Sequence, residues 1–214
     1  MIRAGAAPTQ ATTGVVALHG RGGAASDMRG LLDQAGVLPA VTALLPEAPG
    51  RTWWPTSFLA PAAQIEPFVA AGVAAVLDAV AGLEAEGIAR RQIWLMGFSQ
   101  GACLALETFA RAGAGLAGVF AFSGGLTGTG DAGGGPQPAL YGHRQKRFDY
   151  AGQRPGQVWL SCHARDPHIP LARVEQSALV LSAMGAPVET LIHPGTGHGL
   201  AAADIAALRR YLLR

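Results

Sequence analysis

Charge is scarce in this chain. Sixteen basic and 14 acidic residues among 214 leave a formal net charge of +2. They are scattered, without the basic block or stripe that binding to nucleic acid or a membrane surface requires, so neither is an expected partner. Cysteine is scarcer still. Cys103 and Cys162 fall in no C-x-x-C pair and no Cys/His cluster with zinc spacing. They read as reduced core residues, and no metal site is expected. Half of the residues are hydrophobic, but long unbroken apolar runs are missing. The longest candidate, 67–83, is interrupted by Asp78 and reads as a core-packed helix rather than a membrane span. The opening "MIRAGAAPTQATTG" lacks a compact apolar segment before a cleavage site, so it does not resemble a secretory leader, and a cytoplasmic location is expected. The length fits one domain, 1–214.

Glycine and short apolar runs are abundant. Runs rich in β-branched and aliphatic residues at 13–20, 41–47, 93–98, 117–125, 157–163 and 187–194 read as buried strands. Helical patterns at 25–36, 66–87, 100–113, 171–185 and 202–213 alternate with them, the signature of an α/β fold whose parallel sheet is covered on both faces. Two segments stay outside this alternation. The stretch 123–156 is full of Gly and Pro and reads as a mobile surface excursion. The stretch 47–67 carries Trp53, Trp54, Phe58 and Leu59 in a loop.

The chemistry centres on "LMGFSQGACLALE", residues 95–107. Gly97-Phe98-Ser99-Gln100-Gly101 fits the G-x-S-x-G elbow, in which a strand turns sharply into a helix and exposes the serine hydroxyl. The apolar run before it and the helical pattern after it supply the context that the motif requires. Ser99 is therefore the expected nucleophile; the competing role is a helix-capping serine at a tight junction. Such a serine needs a general base, held in one tautomer by a carboxylate, and both should follow it at the ends of later strands. His198, in the Gly-rich turn "HPGTGHGLAA", is favoured over His193, which still belongs to the strand pattern. His143, His163 and His168 fit the base less well, and His19 precedes the serine. Asp166, just past the strand "QVWLSCH", is favoured as the acid over Asp149 and Glu189.

The oxyanion of an acyl-transfer intermediate needs preorganised backbone donors. Gln100, next to the nucleophile, and Arg21, in the Gly-rich turn of "VVALHGRGG", are the expected pair. Only the main chain of Arg21 is given a role, and His19 is expected to order the turn. Trp53, Trp54, Phe58 and Leu59 are expected either to offer an acyl group an apolar surface or simply to cover the core.

The motifs "LHGRGG", "GFSQGACLALE", "FSGGL", "DPHIPLARV" and "PGTGHGL" together resemble the phospholipase/carboxylesterase family of α/β-hydrolases, which includes the acyl-protein thioesterases. The resemblance runs nearly end to end. It implies an α/β-hydrolase fold with a mostly parallel sheet and no large cap domain. It also implies hydrolysis of a small-molecule acyl ester or thioester through an acyl-enzyme on Ser99, with Asp166 and His198 completing the triad and no cofactor. A homodimer is compatible with it. Activity on lactones, ring-cleavage products or small peptides, or a binding role without catalysis, remains open. In one departure, "CHARD" has His163-Ala164 where relatives often carry a His-Gly or another Gly-containing turn.

Overall fold

Short apolar runs become strands, and the longer amphipathic stretches wrap them. The computed structural model describes every residue except Asp131 and Arg214. The strands are β1 (Ile2–Gly5), β2 (Thr13–Leu18), β3 (Val41–Leu45), β4 (Ile93–Phe98), β5 (Gly118–Phe122), β6 (Gln157–Arg165) and β7 (Val188–Thr196). The helices are α1 (Ala25–Gln34), α2 (Ala62–Ala85), α3 (Gln100–Ala112), α4 (Leu171–Ala183) and α5 (Ala202–Leu212). They build one seven-stranded sheet in the order β1-β3-β2-β4-β5-β6-β7. All neighbouring pairs are parallel except β1 with β3. This is the α/β-hydrolase fold without a large cap. The β1 edge strand was not expected from the sequence. Its four residues bury only Ala4, so it carries no alternation to read.

Each face of the sheet has its own core. On one, α2, α3 and α4 pack with Val16, Leu18, Leu95 and Val119. On the other, α1 and α5 bring Met28, Leu32 and Leu208 against Trp94, Met96, Phe120 and Phe122. Each large apolar side chain removed fully from water contributes about 1.5–3 kcal/mol. α3 runs through the densest region, buried at every position from Gln100 to Ala110. Its neighbour α2 comes so close that a Cβ on Gly72 would meet Leu104 at 2.9 Å. Among the described residues, α2 alone has the length and apolarity of a membrane-spanning helix. Here it buries Ile65, Val69, Val73, Val76, Val80 and Leu83 against the protein, with Asp78 exposed.

Two expectations need correction. α2 begins at Ala62 rather than 66, leaving Pro67 inside the helix. Its first turn is pinned from outside, because Ala62 N–H donates to Thr129 O at 3.1 Å. The second concerns 123–156, which is not wholly a surface segment: residues 123–129 are buried. Buried Glu107 of α3 accepts from Thr127 N (2.7 Å), Thr127 Oγ1 (2.9 Å) and Tyr150 Oη (3.0 Å). Buried Arg173 of α4 donates to Leu126 O and Gly128 O, each at 2.8 Å. Such bonds join residues far apart in sequence, so a Gly-rich composition hides them.

Candidate active site

Ser99 occupies the junction between β4 and α3 with φ +53° and ψ −119°. A non-glycine residue held there costs about 1–3 kcal/mol, which the surrounding structure must impose. The flanking glycines make the turn sterically feasible. A Cβ on Gly97 would lie 2.2 Å from Gly101 O, and one on Gly101 would lie 2.2 Å from Leu18 O. The strand before and the helix after therefore pack backbone to backbone, and the serine side chain is pushed outward to line a cavity.

Three side chains far apart in the sequence meet at this cavity. The Ser99 hydroxyl lies 2.9 Å from His198 Nε2, and His198 Nδ1 lies 2.7 Å from Asp166 Oδ2. Because the ionised carboxylate only accepts, Nδ1 carries the proton and Nε2 is left to accept from the hydroxyl. Asp166 Oδ1 accepts the backbone N–H groups of His168 (2.8 Å) and Ile169 (3.0 Å). Burial by itself would push the Asp166 carboxyl up. The bonds from His198, His168 and Ile169 outweigh it and hold the group below the usual carboxylate range. The imidazole of His198 sits between Phe98, 5.0 Å away centroid to centroid, and His168, edge-on at 4.8 Å.

The rival residues lie elsewhere. His193 is buried on β7, where Nε2 meets Asp204 Oδ2 at 2.8 Å. Glu189 pairs with Arg210 on the surface, and Asp149 falls in the 123–156 segment. Near Asp166, β6 continues through Arg165 with an irregular register between His163 and Arg165, at the point where the sequence departs from a glycine turn. Tyr141, from the excursion, donates its hydroxyl to Asp166 O. The expected surface segment thus fastens the loop that carries Asp166.

Arg21 and Gln100 both line the cavity. Among the described residues no hydrogen bond engages either backbone N–H. Their side chains do work that the sequence did not reveal. Arg21 donates through Nη1 to Pro55 O at 2.9 Å and through Nη2 to Thr56 O. Gln100 donates to Trp54 O at 2.8 Å and accepts Trp53 N–H at 2.9 Å. His19, fully buried, meets Gly20 O at 2.7 Å and accepts Ala48 N–H at 3.0 Å, which orders the turn that carries Arg21.

The cavity measures about 510 Å³. Trp54 and Phe58 line it, together with Phe98, Ile169, Thr56 and His168. Trp53 and Leu59 do not, which corrects the pocket reading for these two. Trp53 stacks on His19 at 5.3 Å and donates its indole N–H to His19 O, while Leu59 is 1% exposed in the core. Adjacent loop residues point opposite ways, and hydrophobicity alone cannot tell which face meets substrate. Among the described residues no group of three or more His, Cys, Asp or Glu is placed to hold a metal ion.

The phospholipase/carboxylesterase family profile matches residues 2–131, more than half of the chain. This chain belongs to the phospholipase/carboxylesterase family. The same conclusion follows from the crystal structure of a phospholipase/carboxylesterase from Dyadobacter fermentans DSM 18053. It is 33% identical, superimposes with a TM-score of 0.84, and the match covers 100% of this chain and 95% of that one. Esterase PE8 (24% identity, TM-score 0.74, 99% and 96% coverage) shares the fold. So does SOBER1 of Arabidopsis thaliana (19%, 0.68, 94% and 98%). A search of curated protein sequences returned no match. As a member of the phospholipase/carboxylesterase family, the chain is an esterase-type α/β-hydrolase. The matched residues end before Asp166 and His198.

Proposed function

We propose that this protein is a serine carboxylic-ester hydrolase that works through an acyl-enzyme on Ser99. The hydrogen-bonded line from Asp166 through His198 to Ser99, ending at a cavity of about 510 Å³, carries this reading. His198 Nε2 takes the hydroxyl proton as Ser99 Oγ attacks the carbonyl carbon of an ester or thioester. Asp166 holds the imidazolium in orientation. The oxyanion of the tetrahedral intermediate accepts the N–H groups of Arg21 and Gln100, assisted by the positive end of α3. His198 then gives its proton to the departing alcohol or thiol. Water, deprotonated by His198, attacks the acyl-enzyme and releases the acid.

Trp54, Phe58, Phe98 and Ile169 give the acyl group an apolar wall, while Thr56 and His168 keep part of the lining polar. That mixture favours short or medium acyl groups over long hydrocarbon chains. A series of p-nitrophenyl esters from acetate to palmitate, run with the wild type and Ser99→Ala, tests both parts. The expected result is turnover of the shorter esters by the wild type alone. Equal turnover by Ser99→Ala overturns the acyl-enzyme. No turnover of any ester favours a lactone, peptide or binding role for the same cavity.

A further inference from the structure

Cys162 lies on β6, four positions before Asp166, and is completely buried. Its Sγ stands 3.6 Å from Asp166 Oδ2, within the reach of a thiol hydrogen bond, and 3.9 Å from Ile169 O. A thiol has one proton to give, and the nearer, charged carboxylate is the stronger acceptor. The two carboxylate oxygens of Asp166 are used unequally. Oδ1 takes the two backbone N–H groups, whereas Oδ2 faces both the Cys162 thiol and the His198 Nδ1–H. Burial, with the Asp166 carboxylate adding to it, pushes the Cys162 thiol up to about 12. The proton is therefore present on sulfur throughout the neutral range.

We infer that Cys162 is a positioning residue whose thiol shares Asp166 Oδ2 with His198, fixing the carboxylate's rotation and drawing charge from the oxygen that faces the imidazole. A carboxylate oxygen relieved of part of its charge stabilises the imidazolium less. Removing the thiol therefore favours the protonated imidazole and moves the acid limb of the pH–activity profile to higher pH. Other titratable groups face this centre: His168 edge-on to His198, Tyr141 on the Asp166 carbonyl, and Cys103 across from α3. Arg165 turns instead to Thr196. All are retained when Cys162 alone is changed.

This inference rests on the triad reading, so its test includes a measurement of that reading. The rate at which a fluorophosphonate labels Ser99 is measured against pH for the wild type, Cys162→Ala and Cys162→Val, alongside their melting temperatures. Alanine leaves a small cavity and valine fills it, but neither donates a proton. In both variants the acid limb is expected to rise by about half a pH unit, whatever the change in Tm. The proton resonance shared by His198 and Asp166 is expected to move downfield in both. An acid limb left at the wild-type pH in either folded variant, or a shift that follows Tm, reduces Cys162 to a space-filling residue and overturns the inference. A wild type that does not label overturns the triad reading itself, a separate result.

Discussion

Gln100 holds Trp54 from the first turn of α3: its Nε2 donates to Trp54 O at 2.8 Å, while its Oε1 receives the N–H of Trp53 at 2.9 Å. The residue beside Ser99 thus also sets the cavity wall. Gln100→Ala removes both bonds; Trp54 O keeps the hydrogen bond from Thr52 Oγ1, while the buried Trp53 N–H is left unpaired, at about 1–3 kcal/mol. The backbone N–H of residue 100 remains. The expected outcome is a fall in Tm and a loss of chain-length discrimination, with measurable hydrolysis of acetate esters retained. A Gln100→Ala variant with wild-type Tm and the same preference contradicts the clamp.

Trp54 lines the cavity and is 1% exposed, whereas its neighbour Trp53 faces His19. Trp54→Ala should widen the acyl site and shift preference toward longer esters, at a stability cost of about 3–5 kcal/mol for a buried aromatic. Trp53→Ala should lower Tm by a similar amount with little change in preference. Matching preference profiles for the two variants would remove the distinction.

At Gly101, a Cβ would lie 2.2 Å from Leu18 O and 2.5 Å from His19 O. No flexible side chain can move aside to make room. Gly101→Ala is expected to push α3 off β2, disturb the turn that carries Arg21, and abolish ester hydrolysis while lowering Tm. Retained activity at wild-type Tm would mean that the backbone approach is not tight.

The elbow, the order of its partners and the alternation of strands and helices were legible because each depends on neighbours in sequence. Ser99 follows a strand and opens a helix, and Asp166 and His198 lie past later strands. What stayed hidden depends on contacts across the fold. Glu107 and Arg173 draw residues 123–129 inward, which no local pattern encodes. Trp53 and Trp54 are adjacent and equally hydrophobic, so only the surrounding packing assigns one to the core and the other to the cavity. Cys162 looks in the sequence like any other buried strand residue, and only the fold sets its thiol behind the Asp166 carboxylate.

The depressed carboxyl of Asp166 makes stability pH-dependent in a definite direction. Burial works against the charged form, but the bonds from His198 and two backbone N–H groups prevail. A folded-state value below the unfolded one, about 3.9, gives a contribution fully present above that range. It is lost as pH falls through the depressed folded value. The Tm difference between wild type and Asp166→Asn should therefore be largest near neutrality and narrow in acid. A gap that stays constant down to the acid transition would contradict the carboxylate's stabilising role.

The proposed chemistry requires a reactive hydroxyl on Ser99 served by His198. Intact-mass measurement after exposure to a fluorophosphonate, with peptide mapping of the adduct, tests it most directly. One adduct on the peptide bearing Ser99, none on Ser99→Ala and a labelling rate reduced by about 10³-fold or more in His198→Ala is the predicted result. An unlabelled wild type, or an adduct on any other residue, rules out the proposed acyl-enzyme on Ser99.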